Sequence, residues 1–195
     1  TDEVAVRARW NVGPLEVSED LARVDKREVR GKLMRRLRRR IEAAGGVWIK
    51  VSAHPFPYRS TFNFRFDHDE YVPEDFDAIL AAVRGHEEAT SHYVCAVSHE
   101  KHPDALARLE GFDVGSHGYY HHTYHFAKDN LANVRRGIEA LRRCGLEPSG
   151  YASPHGRFNR GLLAGLEELG VTHSSEFALA YDELPFFPAG SETLQ

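Results

Sequence analysis

The chain has few cysteines and no long apolar run, and each absence excludes a class of protein. Its 195 residues include only two cysteines, Cys95 and Cys144, and both lie in apolar stretches. We therefore expect free thiols rather than a disulfide, which favours a reducing compartment and a cytoplasmic location. No segment approaches the roughly 20 apolar residues that a membrane span requires. A net charge of −4 gives no general reason to expect nucleic acid as a partner.

What the chain does have is the composition of an ordinary globular protein, with 42% hydrophobic and 28% charged residues. Its length is enough for one sizeable domain with a short appendage. The sequence begins at Thr1 without a methionine, so a removed signal peptide stays open as an alternative to a cytoplasmic protein.

We assign residues 1–59 to an N-terminal extension that carries a basic helix over residues 26–44. Its apolar stripe recurs every four residues (Val29, Leu33, Leu37 and Ile41), arginines surround the stripe, and two glycines end it. Such a helix either binds an anionic surface such as phospholipid or packs its stripe on the domain and leaves a solvated cationic face. Because the stripe lacks the Trp and Phe anchors of interfacial helices, we favour packing and do not expect membrane contact.

From residue 60 onwards, strand and helix patterns alternate. The patterns predict strands at 61–66, 91–98, 112–116, 149–153 and 171–177, with helices at 73–84, 103–109, 128–144 and 160–169. This alternation predicts an α/β fold with parallel strands and right-handed crossovers. In such folds, sites are assembled at the carboxyl ends of the strands.

Four polar side chains follow predicted strands at that edge. Asp67 and Asp69 are two residues apart, so a strand would direct both to one face. His117 and His121 are four residues apart and share a face if the segment turns helically. One carboxylate and two imidazoles are a common ligand set for a catalytic divalent metal ion, and a spare carboxylate beside it is a candidate general base. The set therefore predicts metal-assisted hydrolysis.

Each of these residues also has a simpler interpretation. The two aspartates could cap the helix that follows them, and with 12 histidines in the chain a chance His pair is common. We favour the chemical interpretation because both pairs fall at strand ends. On a strand, His68 would point away from its two acidic neighbours. We interpret His122 and His125 as residues at the rim of the site.

The same residues resemble three motifs of the polysaccharide deacetylase family. Phe66-Asp67-His68-Asp69 is similar to its paired-aspartate motif, and His117-Gly118-Tyr119-Tyr120-His121 to its His-Ser-x-x-His motif. Ala152-Ser153-Pro154-His155-Gly156 resembles the third motif, with alanine where arginine is usual. Ser174-Ser175 and the segment 182–186 look most like the branch with peptidoglycan deacetylase-like and allantoinase-like members.

The resemblance implies a role for each matched position. It implies that Asp69, His117 and His121 hold a divalent metal ion, for which we expect zinc, and that Asp67 is the catalytic base. It also implies substrate contacts from five other residues of the second and third motifs, which are Tyr119, Tyr120, Pro154, His155 and Gly156. The implied fold for residues 60–195 is a parallel (β/α) barrel that forms the catalytic domain.

Two departures accompany the resemblance. The arginine that orients the base in the family is missing at Ala152, and Arg157 is the nearby alternative. The late strand that usually supplies a histidine as general acid is not visible, so we predict a barrel that is incomplete at its C-terminus. If another chain supplies the missing part, the protein is a homo-oligomer.

The function we predict is a metal-dependent hydrolase that removes an acetyl group from an acetylated sugar or amino sugar of a polysaccharide, as in surface polysaccharide biosynthesis. Three alternatives stay open. The first is an amidohydrolase acting on a small cyclic amide. The second is a non-catalytic carbohydrate-binding relative, and the third is a peripheral membrane role through the basic helix.

Overall fold

The structure is a computed structural model that describes residues 5–12, 15–22, 26–50, 56–58, 60, 62–176 and 190–193. The chain divides into two compact units, Thr1–Ala53 and His54–Gln195. The boundary predicted between residues 59 and 60 stays a prediction. None of the helices within the described ranges combines the length and the apolar character that crossing a bilayer requires.

The first unit contains a hairpin and one helix. Strands β1 (Ala5–Val12) and β2 (Leu15–Ala22) pair antiparallel in a sheet of their own. Helix α1 (Lys26–Ala43) matches the predicted basic helix to within one residue. Its end is a glycine cap, since Gly45 has a φ of +78° and the Gly46 N–H donates to the Ile41 carbonyl at 2.8 Å. Packing of its apolar stripe stays a prediction.

The second unit alternates strands and helices throughout its described part. The strands are β3 (Phe64–His68), β4 (Thr90–Val94), β5 (Asp113–Ser116), β6 (Gly150–Tyr151) and β7 (His173–Ser174). The helices are α2 (Pro73–Ala82), α3 (Ala96–His99), α4 (Pro103–Ala107), α5 (Ala127–Arg143) and α6 (Arg160–Glu168). The predicted α/β class is confirmed.

The five strands of this unit form one parallel sheet whose spatial order is the order of the sequence, β3-β4-β5-β6-β7. A doubly wound sheet reverses its strand order part-way, whereas a barrel adds each strand beside the last. The order therefore indicates a barrel-type sheet, as predicted. Among the described residues, β3 and β7 are its two edges.

The apolar positions predicted for the helices pack against this sheet. On α5, Val134, Ile138 and Leu141 are buried. Val134 and Ile138 pack in one cluster with Leu162 and Leu166 of α6, and Leu141 belongs to a second cluster. Burial of such side chains contributes roughly 1.5–3 kcal/mol each. The packing anchors the helices and leaves the strand ends free to carry polar side chains.

One row of residues across the inner face shows how closely the strands are packed. In register, Asp67 pairs with Tyr93, Tyr93 with Gly115, Gly115 with Gly150, and Gly150 with His173. A Cβ atom on either glycine would collide with the ring of Tyr93 or of His173. The two glycines thereby let the Tyr93 hydroxyl approach the His173 Nε2 to 3.4 Å.

Two predicted element boundaries are wrong in an informative way. The first strand ends at His68 rather than at residue 66, so Asp67 lies within β3. The predicted strand 91–98 stops at Val94, and α3 follows from Ala96. The reason is that the N–H groups of Ala96 and Val97 donate to carbonyls of the 118–119 loop, each at 3.0 Å, so the ladder with β5 ends.

Candidate active site

Asp69, His117 and His121 converge where β3 and β5 end. The Asp69 Oδ1 lies 3.2 Å from the His117 Nε2 and 3.1 Å from the His121 Nε2, and the two Nε2 atoms are 3.1 Å apart. These three atoms form the one group of metal-ligating side chains found among the described residues. The structure therefore brings together the three positions that the sequence predicted as ligands.

The orientation of His117 fits the role of a metal ligand. Its Nδ1 donates to the Ala152 carbonyl at 2.8 Å, so the Nε2 of the neutral ring carries a lone pair that faces the Asp69 oxygen. Burial, the largest influence, lowers the pKa of His117 and disfavours a proton on that Nε2. Two acceptors at this distance repel unless a cation lies between them, and a divalent metal ion fits the donor set.

The loop that carries His117 and His121 is shaped by α5 and is not helical. Gly118 has a φ of +86°, which turns the chain directly after His117. The buried Asn133 amide of α5 accepts from the Tyr120 N–H at 2.8 Å and donates to the Tyr120 and His122 carbonyls at 3.0 and 3.1 Å. Sequence reasoning missed this residue, although an asparagine on the apolar stripe of a helix was a usable signal.

Asp67 lies beside the three ligands, and Arg65 holds its carboxylate. The Arg65 Nε donates to one carboxylate oxygen at 2.7 Å and the Nη2 to the other at 2.5 Å, which is a bidentate ion pair. Asp67 is close enough that its charge favours protonation of His117, although burial outweighs this effect. Arg65 was not among the predicted site residues. Its position two residues before Asp67 on a strand places both on one face.

An open cleft of about 760 Å³ leads to this group. Asp67, Asp69, His121 and His155 line the cleft. Further lining residues come from the segment between β3 and α2, such as Tyr71, and from α2, such as Ile79. The other predicted substrate residues, Tyr119, Tyr120, Pro154 and Gly156, are not among the residues that line the cleft. Tyr119 is buried in the core with its hydroxyl donating to Glu100 at 2.6 Å, and Pro154 is buried as well. Tyr120 is exposed and accepts a hydrogen bond from Arg136 at 3.1 Å.

His155 is placed to meet whatever enters the cleft. It is exposed, has a φ of +58°, and its ring centroid lies 4.5 Å from that of His121. A positive φ outside glycine is uncommon and often marks a functional position. Its neighbour Gly156 also has a positive φ, and its N–H donates to the Ser153 carbonyl at 3.0 Å.

Residues 57–174, more than half of the chain, match the family model described as polysaccharide deacetylase. The chain belongs to the polysaccharide deacetylase family. The family that the three motifs predicted is thereby confirmed. No curated protein matches the sequence.

Solved structures of this family share the fold. A family 4 carbohydrate esterase from Streptomyces lividans, solved with acetate, is 20% identical with a TM-score of 0.51, over 57% of this chain and 60% of its own. A chitin deacetylase from Colletotrichum lindemuthianum is 22% identical with a TM-score of 0.51, over 59% and 54%. A CE4 family pseudoenzyme from Bacillus anthracis is 11% identical with a TM-score of 0.53, over 58% and 42%. The chain thus spans 42% to 60% of these relatives.

This member of the polysaccharide deacetylase family has a half-buried carboxyl group two residues after β7 that was not among the predicted site residues. Glu176 accepts hydrogen bonds from the hydroxyls of Ser153 and Ser174, the latter at 2.5 Å. Burial is the largest cause that raises its pKa to about 7, against the opposing effects of the two serines and Arg65. The segment 182–186, which resembled a family motif, lies outside the described residues.

Three further histidines, His68, His92 and His99, form a buried group on the other face of β3. His68 points away from the paired aspartates, as predicted, and its Nε2 lies 2.8 Å from the His92 Nδ1. His99 donates its Nδ1 proton to the Cys95 carbonyl at 2.7 Å. Burial lowers the pKa of His68 to about 3 and that of His92 to about 4. Cys95 and Cys144 are free thiols, as expected.

Proposed function

We propose that this protein is a metal-dependent deacetylase that hydrolyses an acetyl group from an acetylated sugar or amino sugar of a polysaccharide. The observation that carries the proposal is the convergence of one carboxylate and two imidazoles at 3.1–3.2 Å, beside a second, guanidinium-held carboxylate, at the mouth of a cleft. Membership of the polysaccharide deacetylase family supports the substrate class.

Asp69, His117 and His121 would hold the metal ion. A divalent ion bound by such ligands supplies Lewis-acid chemistry, which makes a water molecule nucleophilic near neutral pH. The donor set of one oxygen and two nitrogens suits zinc, and zinc is the ion that we propose. The contact from the His117 Nδ1 to the Ala152 carbonyl keeps the Nε2 lone pair directed at the ligand group.

Asp67 is the proposed general base. Its carboxylate accepts the proton of the attacking water, and once protonated it can return that proton to the leaving oxygen or nitrogen. Proton transfer by a positioned group contributes about 10²–10⁴-fold to rate. Domain 60–195 is the proposed catalytic domain, with His155 as the substrate contact that the cleft supports best.

The test measures acetate release from N-acetylated chito-oligosaccharides and from O-acetylated xylan. We expect turnover by purified protein loaded with zinc, loss of turnover after chelation, and recovery when zinc is added back. His117→Ala should lose both bound metal and activity. His125→Ala, an exposed histidine four residues after His121, should keep both and is the matched control.

The same measurements separate the rival functions. Turnover of small cyclic amides without acetate release would favour the amidohydrolase. Glycan binding without bound metal or turnover would favour a non-catalytic relative, a class that exists among proteins of this fold. Acetate release at an equal rate with and without chelated metal would overturn the proposal.

A further inference from the structure

Arg65 reaches two parts of the barrel with one side chain. Its Nε and Nη2 bind the Asp67 carboxylate, while its Nη1 donates to the Ser175 carbonyl at 2.7 Å and to the Ser175 hydroxyl at 3.0 Å. Asp67 belongs to β3, and Ser175 directly follows β7. These strands are the two edges of the described five-stranded sheet. The guanidinium thus bridges the sheet edges across the inner face.

We infer that Arg65 is the positioning residue of the catalytic base, and that it fixes Asp67 by tying it to the end of β7. The inference rests on the proposed function, because it concerns the base of that reaction. The chain has Ala152 where the third motif usually has an arginine, and Ala152 has no group that could hold a carboxylate. Arg65 supplies a guanidinium from a different strand.

The contacts suit a positioning role in three ways. A bidentate guanidinium–carboxylate pair fixes the plane of the carboxylate as well as its distance, which a lysine could not do. The Arg65 side chain is mostly buried, at 16% exposure, and lies over the Tyr93 ring with 5.4 Å between guanidinium carbon and ring centroid. Ser175 is itself held, since its N–H donates to the Tyr151 carbonyl at 2.8 Å.

Through this link, the orientation of the Asp67 carboxylate depends on the distance between β3 and the end of β7. If the end of β7 moves away from β3, the Nη1 contacts with Ser175 break and the guanidinium loses its second anchor. The carboxylate of Asp67 would then sample rotamers that do not face the ligand group. A displacement of about 1 Å in a catalytic group can reduce rate roughly 10²-fold.

Two arginine variants test this role in the full chain. Arg65→Met keeps the aliphatic stem and removes all five donors, whereas Arg65→Lys keeps the charge without the planar fork. We expect a fall in kcat of roughly 10²-fold for Arg65→Met and a smaller fall for Arg65→Lys, with KM and zinc content unchanged. Arg157→Met is the matched control, because Arg157 is the exposed arginine of the third-motif segment, and it should resemble the parent protein.

A second measurement does not depend on turnover. Hydrogen exchange of the Ser175 amide should be faster in Arg65→Met than in the parent protein, and unchanged in Arg157→Met. If the parent protein releases no acetate with zinc bound, the proposed function fails. If, in addition, the Ser175 amide of Arg65→Met exchanges no faster than that of the parent protein, the link from Arg65 to the end of β7 is refuted as well. If the parent protein is active, a parental kcat in Arg65→Met, or zinc loss in proportion to activity, overturns the inference.

Discussion

At the scale of single residues, the site depends on which atom of a side chain is already engaged. The His117 Nδ1 donates a hydrogen bond to the Ala152 carbonyl, so only the Nε2 remains available to bind a metal ion. Asp67 has both oxygens held by Arg65, so its charge stays at a fixed place beside the ligand group. Residue identity alone would allow either histidine nitrogen and either aspartate to serve. The engaged atoms support the proposal that Asp69 binds the metal and that Asp67 transfers the proton.

Exchanging Asp67 for asparagine separates these two roles. Asp67→Asn keeps the size of the side chain but cannot accept a proton, so we expect kcat to fall by about 10²–10⁴-fold. Zinc content should stay at the parental level because the three ligand atoms are untouched. Acetate release and elemental analysis of the same preparation check this. Full activity in Asp67→Asn would contradict the assignment of the base.

At the scale of secondary-structure elements, α5 determines the position of the histidine loop. Its two buried asparagines face the loop, with Asn130 pairing with both backbone groups of Tyr124 and Asn133 with those of Tyr120. Gly137 lies under the loop at a distance that leaves no room for a side chain. The helix therefore both packs in the core through its apolar stripe and holds the loop that carries the proposed metal ligands.

The Asn133 amide should be needed for metal affinity as well as for stability. Asn133→Asp keeps the acceptor for the Tyr120 N–H but places a carboxylate against the Tyr120 and His122 carbonyls. An unsatisfied or repelled buried polar group costs about 1–3 kcal/mol. We expect lower stability and weaker zinc binding, measured by denaturant titration and by competition with a chelator. Arg135→Gln on the exposed face of α5 should change neither property, and parental zinc affinity in Asn133→Asp would contradict this role.

For Gly137→Ala, helix propensity and packing predict opposite changes in stability. Alanine is favoured over glycine in a helix by roughly 1 kcal/mol. However, a Cβ at position 137 would lie 2.8 Å from backbone atoms of Gly118 and Tyr119 and 2.9 Å from the Ser116 Oγ. We expect Gly137→Ala to be destabilised, and to bind zinc more weakly because the loop shifts. Gly165→Ala on α6 meets Leu131 at 3.2 Å or more and should keep zinc affinity. A stabilised Gly137→Ala with parental affinity would show that the loop does not rest on α5.

The elements also show which features the sequence could predict. Local spacing was sufficient to predict that Asp67, Asp69, His117 and His121 lie close together, because strand ends in a parallel sheet meet at one edge. It failed at residues 96–99, because a short apolar run is compatible with both strand and helix. The bridge from Arg65 to Ser175 was not predictable, since it depends on how far the sheet curves between its edges. No spacing rule relates residues 110 positions apart.

At the scale of the whole molecule, the second unit carries buried and half-buried ionisable groups on both faces of one sheet. The inner face holds Arg65, Tyr93 and Glu176, and the outer face holds His68 and His92. Inside, the charges are paired, because Arg65 lies close to both Asp67 and Glu176. Outside, the imidazoles stack among aromatic rings and stay neutral. The two faces therefore respond differently to pH.

The buried histidines should make the fold sensitive to acid. Burial, the largest cause, lowers the pKa of His92 to about 4 against the attraction of Asp113, whereas an unfolded histidine has a pKa near 6.5. Between these values the unfolded chain binds one more proton at this position than the folded chain. The free energy of unfolding therefore falls as pH falls through this window, by up to about 1.4 kcal/mol per pH unit for one group.

Replacing His92 isolates its share of this pH dependence. His92→Phe keeps a ring between Phe66 and Phe112 but cannot bind a proton, so the slope of unfolding free energy against pH should become shallower between about pH 4 and 6.5. Urea titrations of metal-free protein at several pH values measure the slope without interference from ligand protonation. His125→Phe, at an exposed position, should leave the slope unchanged. Because Glu176 acts in the opposite direction and is present in every variant, it cancels from the comparison. Equal slopes for His92→Phe and the parent protein would mean that this buried imidazole is not what makes the fold sensitive to acid.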